Sequence, residues 1–147
     1  MIKANDLKPG DLVRVCEDNW QIKKGTICEI LSIDLFHKYC SELNWVTVSN
    51  PNSYIDKVRL RCIDIEGISL TPEILEKNGW KKRAEGWYFI MISKYSYLSV
   101  EFEYNDGIRV FLKRTTDGLY VKLNTANNIH ELQHILWALG KNANFKI

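Results

Sequence analysis

The chain has 147 residues, 46% hydrophobic and 26% charged, which excludes a disordered or fibrous polypeptide and fits one ordinary domain or two very small ones. Its net charge of +2 is too small for a domain-wide polyanion footprint, yet the balance shifts along the chain: nine Lys/Arg meet ten Asp/Glu over residues 1–67, and eleven meet eight over 68–147. No stretch has the apolar length of a membrane-spanning helix, and the polar start "MIKANDLKPGD" lacks the apolar core of a secretory leader, so a cytoplasmic protein without membrane contact is expected.

Residues 1–67 read as short strands. "KPGDLVRVC" opens on a Pro-Gly-Asp turn and continues with Leu12, Val13 and Val15. "KKGTICEILSID" turns at Gly25 and carries Ile27, Ile30 and Ile33. "WVTVS" and "KVRLRCIDI" alternate apolar and polar residues at period two, the signature of half-buried strands. "LFHKYCSELN" and "NPNSY" contain turn formers. Several short strands without helix signals suggest a small β-barrel. The cysteines at 16, 28, 40 and 62 are widely spaced and form no C-x-x-C pair, so reduced thiols are expected rather than a tetrathiolate zinc site.

"DIEGISLTP" is the expected hinge between the halves. A short helix follows in "SLTPEILEKNGW". Thr71 can cap it, Pro72 suits its first position, and Glu73 suits the positive end of its dipole. Leu70 and Leu75 have staple spacing, and Gly79 ends the helix. "WKKRA", "GWYFIMIS", "YLSVEFEY", "IRVFLKR" and "LYVKL" then read as an antiparallel meander joined by turn residues. A closing helix is expected over about 128–139.

Within that last helix "HELQH" fits H-E-x-x-H, in which two histidines on one helical face bind zinc and the glutamate acts as general base. Three features argue against a metallopeptidase. Catalytic zinc needs a third protein ligand, and the segment after His134, "ILWALGKNANFKI", contains no His, Cys, Asp or Glu. With Asn128 as N-cap, Glu131 takes the capping-box position, which explains it without catalysis. At 100° per residue, Ile129, Leu132, Ile135, Leu136 and Leu139 share an arc that should face the sheet. His130 and His134 fall nearly opposite, with Trp137 beside them, and are expected to look outward.

Other chemistry leaves fainter traces. No G-x-S-x-G elbow and no Gly-rich phosphate loop occur. His37 and Cys40 lie near each other in a loop and would form a Cys/His nucleophile only by chance. "WKKRAEGWYF" combines Trp80, Lys81, Lys82, Arg83 and Trp87, residue types that stack bases and hold phosphates, although a hairpin also places alternate lysines in water. Lys113, Arg114 and Lys122 would extend a basic sheet face if their strands are neighbours.

Two resemblances add to this reading. "KPGDLVRV" followed by "KKGTICEILSID" resembles the KOW-type barrel, with Cys28 and Ile30 in place of its second glycine and valine. That resemblance covers about the first 35 residues and implies contact with RNA or protein. "IKANDLKPGDLV", "DIEGISLTPEILEKNGWKK" and "IHELQHILWALG" together resemble a group of small proteins of bacteriophages and mobile elements of gut anaerobes. The group keeps an L-T-x-E-I-L helix and an x-H-x-L-Q tail with asparagine at the position of His134. It implies no known activity.

The expectation is an α+β chain: a small β-barrel over 1–67, then a helix, β-meander and helix over 68–147. No enzyme activity and no cofactor are expected. Binding to a host, phage or identical protein is expected through His130, His134 and Trp137. The alternative is nucleic-acid binding through Trp80, Lys81, Lys82, Arg83 and Trp87.

Overall fold

The computed structural model describes residues 2–35, 44–51, 56–103 and 107–147. It divides into two compact units, Met1–Ile68 and Ser69–Ile147. No helix among the described residues is long and apolar enough to cross a membrane.

In the first unit the Pro-Gly-Asp turn works through its aspartate: the Asp11 carboxylate accepts the Lys8 backbone N–H at 2.6 Å, closing the turn that feeds β1 (Leu12–Val15). There follow β2 (Ile27–Asp34), β3 (Trp45–Ser49), β4 (Lys57–Arg61) and β5 (Ile65–Gly67). Each of the first four buries alternate residues: Val13 and Val15, Cys28 and Ile30, Val46 and Val48, Val58 and Leu60. These side chains meet in one apolar cluster with Ala4, Leu7, Ile22, Cys62 and Ile65.

The five strands are antiparallel in the order β4-β3-β2-β1-β5. Among the described residues no ladder joins β4 to β5, which a 3-10 turn at Cys62–Asp64 connects. The ladders among the described residues make a five-stranded antiparallel sheet around one apolar cluster and do not by themselves show a closed barrel. Period-two burial specifies that strands are half-buried; closure depends on tilt and stagger, which that pattern does not carry. Cys16, Cys28 and Cys62 are free thiols, and burial pushes the Cys28 thiol up to about 11. His37 and Cys40 lie outside the described residues.

The second unit opens with α1 (Pro72–Lys77). Thr71 Oγ1 accepts the Ile74 N–H at 3.4 Å, and Pro72 occupies the first turn. Gly79, at φ +82°, ends the helix, and the Trp80 N–H returns to the Leu75 carbonyl at 3.0 Å. Five antiparallel strands follow in sequence order: β6 (Lys81–Ala84), β7 (Trp87–Ser93), β8 (Ser96–Glu103), β9 (Gly107–Arg114) and β10 (Tyr120–Thr125). The chain then forms α2 (Ile129–Ala138), ended at Gly140.

Pairing fixes which residues share a face. Tyr88, Val100 and Val110 stand side by side across β7, β8 and β9, as do Ile90, Leu98 and Leu112. Tyr88, Leu98, Val100 and Val110 are buried. A cleft lined by Trp80, Ile90 and Ile92 is also lined by Leu136 of α2 and by Ala143, so α2 and the tail lie on this apolar face. The opposite face carries a different set of residues.

Candidate functional site

The C-terminal helix differs from expectation. His130 is buried, only 3% exposed, while His134 and Trp137 are half-buried. The buried arc is Ile129, His130, Leu132, Gln133 and Leu136, so the helix is rotated relative to the arc drawn from its aliphatic residues. The tail covers part of the helix. After Gly140 the chain passes back along the helix, and Gln133 Nε2 donates to the Ala143 carbonyl at 3.1 Å. Asn78 holds the tail further along, accepting the Lys146 N–H at 2.7 Å and donating to its carbonyl at 2.9 Å. Gln133 is thereby covered.

The rings of this helix stack on one another. His134 lies on Trp137 with centroids 5.6 Å apart at 27°, and His130 meets His134 edge-on at 6.0 Å. Glu131 Oε2 accepts the backbone N–H groups of Asn127 and Asn128 at 2.7 and 2.9 Å. Its carboxylate thus serves the helix start. Among the described residues no group of three or more His, Cys, Asp or Glu is placed to hold a metal ion.

The residues picked out of the first hairpin separate. Trp80 is 4% exposed and belongs to the core, so it offers no ring to a ligand; the turn that ends α1 directs it inward. Lys81, Lys82 and Arg83 are exposed on β6. Lys82 pairs with Glu85 at 2.8 Å, and Arg83 Nη1 donates to the Tyr97 hydroxyl at 2.8 Å. Trp87 is 40% exposed.

Trp87 belongs to the face of the sheet away from α2, where strand register builds a grid. One row runs Trp87, Glu101, Arg109. The next runs Lys81, Phe89, Ser99, Phe111, Lys122. The third runs Met91, Tyr97, Lys113, Tyr120. Ser99, Glu101 and Phe111 lie buried at the base of the grid, whereas Met91 is 50% and Tyr120 65% exposed.

Cations sit among these rings. Lys113 Nζ lies 5.2 Å from the Trp87 centroid, 5.1 Å from Phe111 and 5.8 Å from Tyr120. The Arg109 guanidinium lies 5.7 Å from Phe111. Phe89 meets Tyr97, and Phe111 meets Tyr120, edge to face. At one end of the face a cleft of about 500 Å³ is lined by Arg83, Phe89, Met91, Tyr97, Arg114, Thr115 and Gly118.

The sequence located part of this face. Trp87 and Lys81 are on it, and Lys113 and Lys122 extend it through β9 and β10. Sequence reasoning passed over Phe89, Met91, Tyr97, Arg109, Phe111 and Tyr120. Their signal was period-two alternation in successive strands, which puts Trp87, Phe89 and Met91, then Arg109, Phe111 and Lys113, on one side. No protein-family model, no curated protein and no solved structure matches this chain.

Proposed function

We propose that this protein is a non-enzymatic binding protein and that the face of β6–β10 away from α2 holds single-stranded nucleic acid. The observation that carries this reading is the interleaving of Trp87, Phe89, Tyr97 and Tyr120 with Lys81, Arg109, Lys113 and Lys122 on one sheet face, above the buried Phe111. Rings stack on any unpaired base, at about 1–3 kcal/mol per base, and cations follow the backbone. A duplex hides its base faces, so a sheet of this kind favours single strands. The carboxylates here are spoken for: Glu101 pairs with Lys113 and Asp117 with Arg114. The face is therefore net basic, which disfavours an acid-lined site for a cationic partner.

The test is titration of short single-stranded DNA and RNA at several salt concentrations. Affinity should fall steeply with salt, because phosphate contacts release counterions. Trp87→Ala and Tyr120→Ala should each weaken binding by roughly tenfold. No binding at low salt, or equal binding of duplex and single strand, would refute the reading.

A second reading rests on β10. All six of its residues are exposed, and Val121 and the preceding Leu119 are each more than 60% exposed. An apolar edge strand can add a strand from a second copy, since an antiparallel pair of identical strands is self-complementary about a two-fold axis. Light scattering decides: a dimer that Val121→Lys converts to monomer supports it, and a monomer at all concentrations rules it out.

A further inference from the structure

We infer that the cleft between Arg83 and Arg114 is a subsite for a single nucleotide, with the base on Phe89, Met91 and Tyr97 and the phosphate between the two guanidinium groups. The inference rests on the nucleic-acid reading of the sheet face and gives that face a defined anchor point.

The floor and the walls of the cleft differ in chemistry. Phe89 and Tyr97 stand in neighbouring strands with ring centroids 5.7 Å apart at 69°, and Met91 is Tyr97's partner in register. Two rings and a thioether make an apolar floor able to take a planar group. Arg83 comes from β6, Arg114 from the end of β9, and Thr115 and Gly118 from the turn before β10. No lining residue is acidic. The cleft thus pairs an apolar floor with two cations, which matches an aromatic anion. Its volume of about 500 Å³ suits a small molecule or one nucleotide, not a folded element of a partner.

Both arginines are set for an incoming phosphate. The bond from Arg83 to the Tyr97 hydroxyl, at 2.8 Å, uses one of the five donors of the guanidinium and holds its plane at the cleft wall. Arg114 is paired with Asp117 at 2.8 Å, but both side chains are substantially exposed. Such pairs are weak in water and yield to a phosphate, which accepts two parallel hydrogen bonds. Lys113, further up β9, is instead held by the buried Glu101, so the two arginines are the cations that define this end of the face.

The experiment uses the full chain and four probes: adenosine 5′-monophosphate, adenosine, inorganic phosphate and a short oligoadenylate. Binding is followed by nuclear magnetic resonance shifts of Thr115 and Gly118 and by calorimetry. The monophosphate should shift these amides, and Arg83→Ala or Arg114→Ala should weaken it by about tenfold, as loss of a charged hydrogen bond does. Arg83→Lys should recover little, because lysine cannot present a fork. Lys77→Ala, which removes one charge from α1, should leave monophosphate binding unchanged. Adenosine should bind more weakly than the monophosphate and be insensitive to the arginines.

If inorganic phosphate binds as tightly as the monophosphate, the base floor is wrong and the inference falls. If the oligoadenylate binds and depends on Trp87 but neither arginine affects any probe, the inference falls while the sheet-face reading stands. If the monophosphate binds through the arginines but the oligoadenylate gains nothing from Trp87 or Tyr120, the subsite stands and the strand-binding reading falls.

Discussion

Lys113 Nζ stands 2.6 Å from Glu101 Oε1, with the side chains only 16% and 7% exposed. A buried carboxylate in the middle strand of the sheet thus holds a lysine against Trp87, Phe111 and Tyr120. Breaking one side of a covered ion pair costs about 3–5 kcal/mol, because the other charge is left desolvated. Lys113→Met should therefore lower stability by about that amount, leaving Glu101 only the Ser99 hydroxyl at 3.5 Å. Adding Glu101→Gln should restore much of the loss. Urea unfolding of the two single variants and the double variant measures the coupling; additive effects would show that the pair is not coupled.

The histidines of α2 have a separate consequence. Glu131 is engaged by two backbone N–H groups, so its removal is a capping loss rather than the loss of a base. Glu131→Ala should cost about 1 kcal/mol. His134→Asn, at a half-buried position stacked on Trp137, should cost less than about 1 kcal/mol. His130, buried, should be the costlier site, with His130→Ala losing about 2 kcal/mol. Thermal melts with and without added zinc complete the test: a zinc-dependent rise in Tm that His134→Asn abolishes would contradict this account.

Legibility from sequence followed the range of each interaction. The start of α1 was readable because Thr71, Pro72 and Gly79 act within a few residues of themselves. The meander was readable because turn residues and period-two strands are also local. The exposed face of α2 was not. The buried arc of the helix includes Gln133, which meets Ala143 after the chain turns at Gly140, and the tail is tied to α1 by Asn78 and Lys146, a contact across most of the second unit. Trp80 looked like a surface ring beside lysines, yet the backbone reversal after α1 turns it inward. The sheet face lay between these cases. Each strand's alternation was visible, but the grid needed the registers that place Phe89 beside Phe111 across Ser99 and Tyr97 beside Lys113.

The thiols of the first unit predict an alkaline response. Burial raises the Cys28 thiol from an ordinary value of 9.0 to about 11. A raised folded value means the neutral thiol is favoured by the fold. Its stabilising contribution is complete below pH 9 and is lost as pH rises toward 11, worth about 2–3 kcal/mol in all. Cys28→Ala should flatten the fall of stability over that window relative to the parent chain, as read by urea unfolding at stepped pH. Alkylation at pH 8 should also label Cys16, the half-exposed thiol, before Cys28 and Cys62, by mass spectrometry of the peptides.

Asn78 ties α1 to the tail. Its amide donates to the Ile74 carbonyl at 2.8 Å and to the Lys146 carbonyl at 2.9 Å, while its oxygen accepts the Lys146 N–H. Asn78→Ala removes the hydrogen bonds of Lys146 without touching the apolar contacts of Leu136 or Ala143. The direct cost should be about 1–2 kcal/mol, and the larger effect should be local. Amide exchange at Lys146 should accelerate first, since it loses its acceptor. Protection at Leu132 and Leu136 should persist, because Gln133 still holds Ala143. If exchange rises equally along α2, the tail and helix open as one unit, and the clamp at Asn78, more than the bond from Gln133, secures the tail.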